Sequence, residues 1–161
     1  MTRIILLSLF LIATSATAQA PTAADQILEM YSSRLERFQT AATAEAKADA
    51  YVADIVDGAV WMPQGGDPVR GKKAVHVWAV NFFATWILEI SDSEFEPIIV
   101  GEKFAIRRWV GNGVYEERAT GRRIPYSQNY IDILEKQSDG TWKLATHMWN
   151  NNNRLPSIWS E

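Results

Sequence analysis

One carboxylate in the stretch Tyr126–Asn151 lies among apolar residues, and it is the first candidate for chemistry in this sequence. Asp132 stands between two isoleucines in a segment whose alternation predicts a β-strand. A carboxylate in such surroundings loses hydration, which raises its pKa toward the range of a general base or acid. The alternative is a structural role, in an ion pair with Arg107 or Arg108 or in a hydrogen bond to Thr146.

Two histidines are the other candidates for proton transfer. His76 lies early in a predicted helix and forms one ridge with Val80 and Phe83. It could transfer protons if this ridge faced a pocket. Otherwise it is a partly exposed residue of the first helical turn. His147 lies near Trp149 on a predicted strand, and the hairpin register places it on the outer sheet face as an interface residue.

A hairpin around the sequence Ser-Asp-Gly at 138–140 must position Asp132 and His147. Asp and Gly favour a three-residue loop that closes on a glycine with positive φ. This loop predicts the following opposite pairs: Glu135 with Lys143, Leu134 with Leu144, Asp132 with Thr146, and Tyr130 with Met148. A two-residue loop would instead oppose Lys136 and Lys143, and like charges weaken a ladder.

This register decides which candidate meets a pocket. Side chains alternate along a strand, so the predicted pairing puts Asp132 on the face of Tyr130 and turns His147 to the other face. A slip by one residue would bring His147 in and turn Asp132 out, so the two candidates exclude each other. Both faces are rich in apolar residues, and we expect helices to cover one and a second subunit to cover the other.

Aromatic and apolar side chains supply candidate pocket walls, although each could equally belong to the core. Phenol groups are also hydrogen-bond donors, and Tyr130 or Tyr126 could steady a developing oxyanion. The predicted pocket residues are Tyr51, Trp61, Val80, Phe83, Trp109, Tyr115, Tyr126 and Met148.

Composition excludes several functional classes. The 161 residues are 47% hydrophobic and 22% charged, which suits a single globular domain. The net charge of −3 and the lack of a basic run argue against nucleic-acid binding. The chain has no cysteine, two histidines and no glycine-rich phosphate loop, so the sequence predicts no disulfide, no metal and no cofactor.

Helices precede strands along the chain. A capping box at Thr22 predicts a first helix with an apolar stripe that includes Leu28, Tyr31 and Leu35. Further helices are expected at about 44–55 and 72–85, with a short strand at 59–62 between them and four long antiparallel strands after them. This order indicates an α+β fold, in which a curved antiparallel sheet wraps around three helices and leaves a cone-shaped pocket.

Residues 1–18 read as a signal peptide. Arg3 precedes a short apolar run, and Ala-x-Ala motifs follow, with cleavage expected after Ala18. The alternative is an uncleaved anchor. We therefore expect an exported protein, periplasmic or secreted and free of the membrane once the leader is removed, with a domain at 22–152 and a tail at 153–161.

Two stretches resemble the SnoaL-like and DUF4440 proteins of the nuclear transport factor 2-like superfamily. They are YVADIVDGAVWMPQGGDPVRGKKAV and SQNYIDILEKQSDGTWKLATHMWN, and the resemblance extends over 22–152. It implies a cone-shaped pocket and homodimers through the outer sheet face. It also implies a wide choice of roles, from ketosteroid isomerases, polyketide cyclases, dehydratases and epoxide hydrolases to non-catalytic binding modules.

Two functional hypotheses follow. The first is a cofactor-free enzyme for isomerisation, cyclisation or dehydration of a small apolar carbonyl compound, with Asp132 or His76 as the base. The second is a ligand-binding or dimeric assembly module without catalysis. A buried ionisable group beside a phenol, with space next to both, would favour the enzyme, and a cone filled by its own aromatic rings would favour the module.

Overall fold

Three helices and a seven-stranded sheet form the part of the chain that the computed structural model describes, residues 20–152. The helices are α1 (Ala23–Thr40), α2 (Ala44–Val52) and α3 (Lys72–Thr85). The strands are β1 (Ile55–Met62), β2 (Val69–Arg70), β3 (Trp86–Phe95), β4 (Ile99–Val100), β5 (Phe104–Glu117), β6 (Arg123–Lys136) and β7 (Trp142–Asn151). The predicted leader and tail lie outside the described residues. Between 20 and 152, no helix has the length and apolar character needed to cross a membrane.

Helix α1 begins where the sequence predicts, because Thr22 forms the expected capping box. Its buried face is rotated relative to the predicted stripe. Ile27 is fully buried, whereas Leu28 and Leu35 are 51% and 48% exposed. Tyr31 remains on the inward side and reaches the sheet, so α1 contributes a polar group to the interior as well as packing.

Helix α2 ends earlier than predicted, at Val52, because the chain turns directly into β1. Ile55 pairs with Leu144 of β7, and the two strands run parallel. The backbone N–H of Leu144 also donates to the carbonyl of Asp54 at 2.8 Å. The sheet is therefore mixed, with one parallel pair among the described strands. Helix α3 has the predicted bounds.

The sheet order is β2-β1-β7-β6-β5-β3, with β4 paired to β5. The four long strands β3, β5, β6 and β7 are antiparallel neighbours, which confirms the predicted α+β fold. Helices cover the inner face, and the main core lies between the two layers. Its largest buried members are Trp61, Ile27, Ile55, Leu134, Leu144 and Val75.

The glycines of β5 give aromatic side chains of β5 and β6 room to lie against the sheet. A Cβ on Gly113 would lie 2.0 Å from the Glu89 carbonyl oxygen and 2.8 Å from the Tyr126 ring. A Cβ on Gly111 would meet the Trp109 ring at 2.8 Å. Strand β5 nevertheless continues through both positions, and the adjacent β3 carries an irregularity there.

The hairpin turn is as predicted, and Gly140 closes it with a φ of 86°. The pairs nearest the turn are also confirmed: Glu135 faces Lys143, and Leu134 faces Leu144. Beyond them Ala145 is an extra residue in β7, which makes a β-bulge.

This bulge changes every later pair, so the predicted register is wrong beyond Leu144. Asp132 pairs with His147 instead of Thr146, and Tyr130 pairs with Trp149 instead of Met148. Two of the three proton-transfer candidates, Asp132 and His147, therefore share the inner face, whereas Met148 belongs to the outer face.

Candidate active site

Four strands present one residue each, side by side, on the inner face of the sheet. Arg107 of β5 pairs with Asp132 of β6, Asp132 pairs with His147 of β7, and His147 pairs with Trp61 of β1. We call these four residues the inner row. Directly paired residues have their Cβ atoms about 4.5–5.5 Å apart, so the backbone alone places these side chains in contact range.

Asp132 is the centre of the inner row and is 1% exposed. Its Oδ1 lies 2.6 Å from Nδ1 of His147. Its Oδ2 accepts hydrogen bonds from the Tyr31 hydroxyl at 2.8 Å and from Nε1 of Trp109 at 3.2 Å. A guanidinium nitrogen of Arg107 lies 3.6 Å from the same oxygen. The carboxylate is thus held from four sides.

These contacts reverse the expected pKa shift of Asp132. Burial alone would raise the pKa of this carboxyl, but the charge and hydrogen bond of His147, the Tyr31 hydrogen bond and the Arg107 charge outweigh it. The pKa of Asp132 therefore lies below its ordinary value, so the prediction of a raised pKa was wrong. An ionised and fully engaged carboxylate positions His147 rather than taking a proton itself.

His147 keeps one ring nitrogen free for chemistry. Because Asp132 is ionised, the Nδ1–H group of His147 donates a hydrogen bond to the carboxylate, and Nε2 is the ring nitrogen that does not contact Asp132. Within residues 20–152, Nε2 has no hydrogen-bond partner. The ring lies among Trp61, Trp149 and Tyr130, with centroids 5.4, 5.0 and 5.6 Å away. Its environment is therefore a carboxylate on one side and aromatic surface on the other.

Tyr130 and Tyr115 direct their hydroxyl groups to the same acceptor. Both donate to Oε1 of Gln128, at 2.5 and 2.9 Å, and the Gln128 amide donates to Asn151 at 2.7 Å. Burial raises the pKa of both phenols, so they remain protonated donors. Tyr126 lies near the start of β6, and its ring stacks on the Tyr115 ring with 4.5 Å between centroids.

Tyr51 of α2 has a hydroxyl proton that the described residues do not engage. Its oxygen accepts a hydrogen bond from Nε1 of Trp61 at 2.8 Å, so Tyr51 reaches the inner row. Burial raises the pKa of Tyr51 to about 12, which keeps the phenol protonated at neutral pH. Phe83 packs on its ring, 5.7 Å between centroids.

His76 lies away from the inner row. Its Nε2 contacts Asp49 at 2.9 Å and Glu45 at 3.7 Å, so it belongs to the surface between α2 and α3. Val80 packs against the small α2–α3 core instead of facing the inner row. The three ligand atoms of Glu45, Asp49 and His76 lie within 4.8 Å of one another and could hold a divalent cation. Both carboxylates are exposed, and without an ion the same contacts make a cluster of polar side chains on the surface.

The sequence located Asp132, Trp61 and Trp109 on the inner face. It predicted Arg107 or Arg108 as a possible ion-pair partner of the carboxylate, and the structure shows Arg107 in this position. It missed Tyr31. Tyr31 was visible only as a member of an apolar stripe. Arg107 alternates with Trp109 along β5, and this spacing puts both side chains on one face. That alternation was the signal in the sequence that favours Arg107 over Arg108 as the partner of Asp132.

Aromatic rings occupy much of the cone around the inner row. Trp109 and Tyr130 stack 3.8 Å apart, and Trp149 contacts Trp78 of α3 at 5.8 Å. Two shallow surface cavities, of about 370 and 470 Å³, lie outside the cone, against α1 and α2 and beside His76. A ligand of the inner row would therefore lie in close contact with these rings.

Comparison with known proteins identifies the fold. No protein-family model and no curated protein matches this sequence. A ketosteroid isomerase-like protein from Erwinia carotovora atroseptica superposes with a TM-score of 0.69 and 20% identity, over 81% of this chain and 97% of that one. A conserved protein from Planctomyces limnophilus gives 0.64 and 19%, over 78% and 94%. A domain with a cystatin-like fold from Nostoc punctiforme gives 0.59 and 14%, over 84% and 82%.

These likenesses confirm the predicted nuclear transport factor 2-like fold. Because these structures share at most 20% sequence identity with this chain, the likeness establishes the fold alone. The narrower SnoaL-like or DUF4440 assignment stays a prediction.

Proposed function

We propose that this protein is a cofactor-independent enzyme that transfers protons on a small, largely apolar carbonyl compound. The observation that supports this most is the 2.6 Å contact between Nδ1 of His147 and Oδ1 of the buried Asp132. A solved neighbour described as ketosteroid isomerase-like agrees with this class of reaction. The reaction would be an isomerisation, a cyclisation or a dehydration.

His147 is the general base and acid in this proposal. Asp132 fixes the tautomer that carries its proton on Nδ1, so Nε2 presents a lone pair. Nε2 takes a proton from the carbon beside the carbonyl group, and the electron pair of that C–H bond forms the enolate. The buried carboxylate stabilises the imidazolium, which then returns the proton to another position.

Tyr51 supplies the hydrogen bond to the enolate oxygen. Its own oxygen is already an acceptor for Trp61, so its O–H is oriented away from that contact. The Tyr130 ring lies 5.6 Å from the His147 ring, but the Tyr130 hydroxyl already donates its hydrogen bond to Gln128. A protonated phenol in a water-poor site stabilises a developing oxyanion more strongly than water does.

Exchange of carbon-bound hydrogen for deuterium tests the proposal without knowledge of the natural substrate. We expect the wild-type protein to accelerate α-hydrogen exchange of 2-tetralone in D2O, followed by NMR. His147→Gln should reduce the rate by about 10²–10⁴-fold, the usual contribution of a general acid or base. His76→Gln is the matched control and should leave the rate unchanged. Equal rates for the wild type and His147→Gln would exclude this role of His147.

A ligand-binding module without catalysis is the second candidate, and the crowding of the cone by aromatic rings favours it. Trp61, Trp109 and Trp149 all lie near His147 or Asp132, so a ligand there would change tryptophan emission. Saturable quenching by steroid-like or aromatic ligands, without any hydrogen exchange, would support the module. A flat emission signal throughout would count against an apolar ligand.

A homodimer through the outer sheet face is part of the proposal. Ile99, Ile106 and Met148 lie on strands of the sheet and are 53%, 37% and 38% exposed. Contiguous exposed apolar surface of this kind marks interfaces. Analytical ultracentrifugation should show a dimer for the wild type and a monomer for Ile106→Arg, and a monomeric wild type would contradict it.

Export is also proposed. The mature protein should begin at Gln19 if the leader is cleaved after Ala18, and intact mass would test this.

A further inference from the structure

Arg107 has hydrogen-bonding capacity that the proposed reaction does not use. A guanidinium carries five N–H donors. Within residues 20–152, its one ion pair is the 3.6 Å approach to Asp132, and no shorter polar contact of the group is present. Arg107 is nevertheless only 8% exposed. The fully buried side-chain nitrogen without a partner in residues 20–152 is Nε1 of Trp142, so the guanidinium nitrogens of Arg107 retain access to solvent. An acceptor on a ligand can therefore replace water at these donors.

Aromatic rings hold the guanidinium in a defined orientation. The Tyr31 ring lies 3.8 Å from its central carbon, and the Phe95 ring lies 4.5 Å from it. Flanking rings leave the edges of the planar group available for hydrogen bonds. A planar carboxylate can meet such an edge with two parallel N–H···O bonds that lie in the plane of the guanidinium.

The charges around the cone also favour an anion. Asp132 is negative, but His147, Tyr31 and Trp109 already engage it. Arg34 of α1 adds a second positive charge and lies over the Tyr51 ring, 4.6 Å from its centroid. The net charge of these groups is therefore positive, with two arginines against one carboxylate, even when His147 is neutral.

We infer that Arg107 binds a carboxylate carried by the molecule that enters the cone. This inference rests on the proposed function for the reacting end of that molecule. Arg107 and His147 lie two strands apart, which is roughly 10 Å. The substrate class is therefore an aromatic or alicyclic keto acid whose carboxylate lies at the end opposite the reacting carbonyl. Phe95 is 54% exposed, so its ring can turn outward to admit the carboxylate with little loss of buried area.

Calorimetric titration with 2-naphthoate and its neutral isostere 2-naphthamide tests the inference directly. The wild type should bind naphthoate about tenfold to a hundredfold more tightly than the amide, the usual size of a charge-assisted hydrogen bond. Arg107→Met should bring the two affinities to within about twofold. Arg108→Met is the matched control, because Arg108 is the next residue of β5 and pairs with the exposed Glu96. It should keep the preference.

Arg107→Lys keeps the positive charge beside Asp132 but lacks the planar fork, so it should reduce the preference without abolishing it. This variant keeps the inference testable if Arg107→Met does not fold. A wild type that binds naphthoate no better than naphthamide, or that does not bind it, overturns the inference. So does a preference that is undiminished in Arg107→Lys, or tighter binding of 2-naphthylphosphonate than of naphthoate. His147→Gln should retain the preference, because it leaves Arg107 in place. A wild type that shows the preference but exchanges hydrogen no faster than His147→Gln counts against the proton transfer alone.

Discussion

Two histidine–carboxylate pairs in this protein have similar distances and opposite surroundings. His147 and Asp132 are 2.6 Å apart, with side chains 12% and 1% exposed. His76 and Asp49 are 2.9 Å apart, with side chains 24% and 70% exposed. The buried pair is fixed by further donors and enclosed by aromatic rings, whereas water solvates the exposed pair. The comparison shows that the neighbours of a pair, rather than its distance, prepare it for chemistry.

The largest expected difference between the two pairs is in stability. Asp132→Asn should lower the free energy of unfolding by about 3–5 kcal/mol, because it leaves the buried Arg107 without a counter-ion. Asp49→Asn should cost less than about 1 kcal/mol, as is usual for exposed pairs. Urea denaturation of both variants at pH 7 measures this. Similar losses for the two variants would remove the distinction.

Acid should erase the contribution of the buried pair. The folded-state pKa of Asp132 lies below the ordinary value of 3.8, so its stabilising contribution is present above that pH. The contribution is lost as the pH falls through the folded-state pKa. The stability difference between the wild type and Asp132→Asn should therefore shrink from pH 5 toward pH 2. A constant difference in urea melts over that range would contradict the lowered pKa.

The smallest of these effects concerns one hydrogen bond to the buried carboxylate. Tyr31→Phe removes the 2.8 Å bond to Asp132 and should cost about 1.5–3 kcal/mol, the usual value for a bond to a charged group. Tyr126→Phe is the matched control, since its hydroxyl has no hydrogen-bond partner in the described part of the chain. It should be close to neutral. Equal midpoints for both variants in thermal melts would show that α1 does not stabilise the pair.

Local signals in the sequence predicted much of the fold. Thr22 and its capping box fixed the start of α1, and Gly140 fixed the hairpin turn. Both depend on neighbouring residues only, so short-range chemistry is sufficient to identify them. The end of α2 was misplaced because Ile55 pairs with Leu144, a contact between distant parts of the chain.

The candidate site was harder to predict, because it depends on the bulge at Ala145. Strict alternation through β7 put Asp132 and His147 on opposite faces, and one extra residue brought them together. Two consecutive buried residues, Leu144 and Ala145, mark the irregularity in the structure. In the sequence they read as an ordinary apolar run. Tyr31 was similarly hidden, because the sequence placed it in one apolar stripe with Leu28 and Leu35 and gave its hydroxyl no role.

The bulge shows how this hairpin tolerates a change of length by one residue. Without Ala145 the two strands would form a regular ladder in which Thr146 still pairs with Ile133 and His147 still pairs with Asp132. The extra residue therefore disturbs β7 locally and leaves the inner row in place. A pairing that accommodated Ala145 without a bulge would instead set Thr146 opposite Asp132 and turn His147 outward, with no side chain substituted. One-residue insertions that a bulge absorbs are thus a route by which descendants of such a chain could change strand length and keep the imidazole inside.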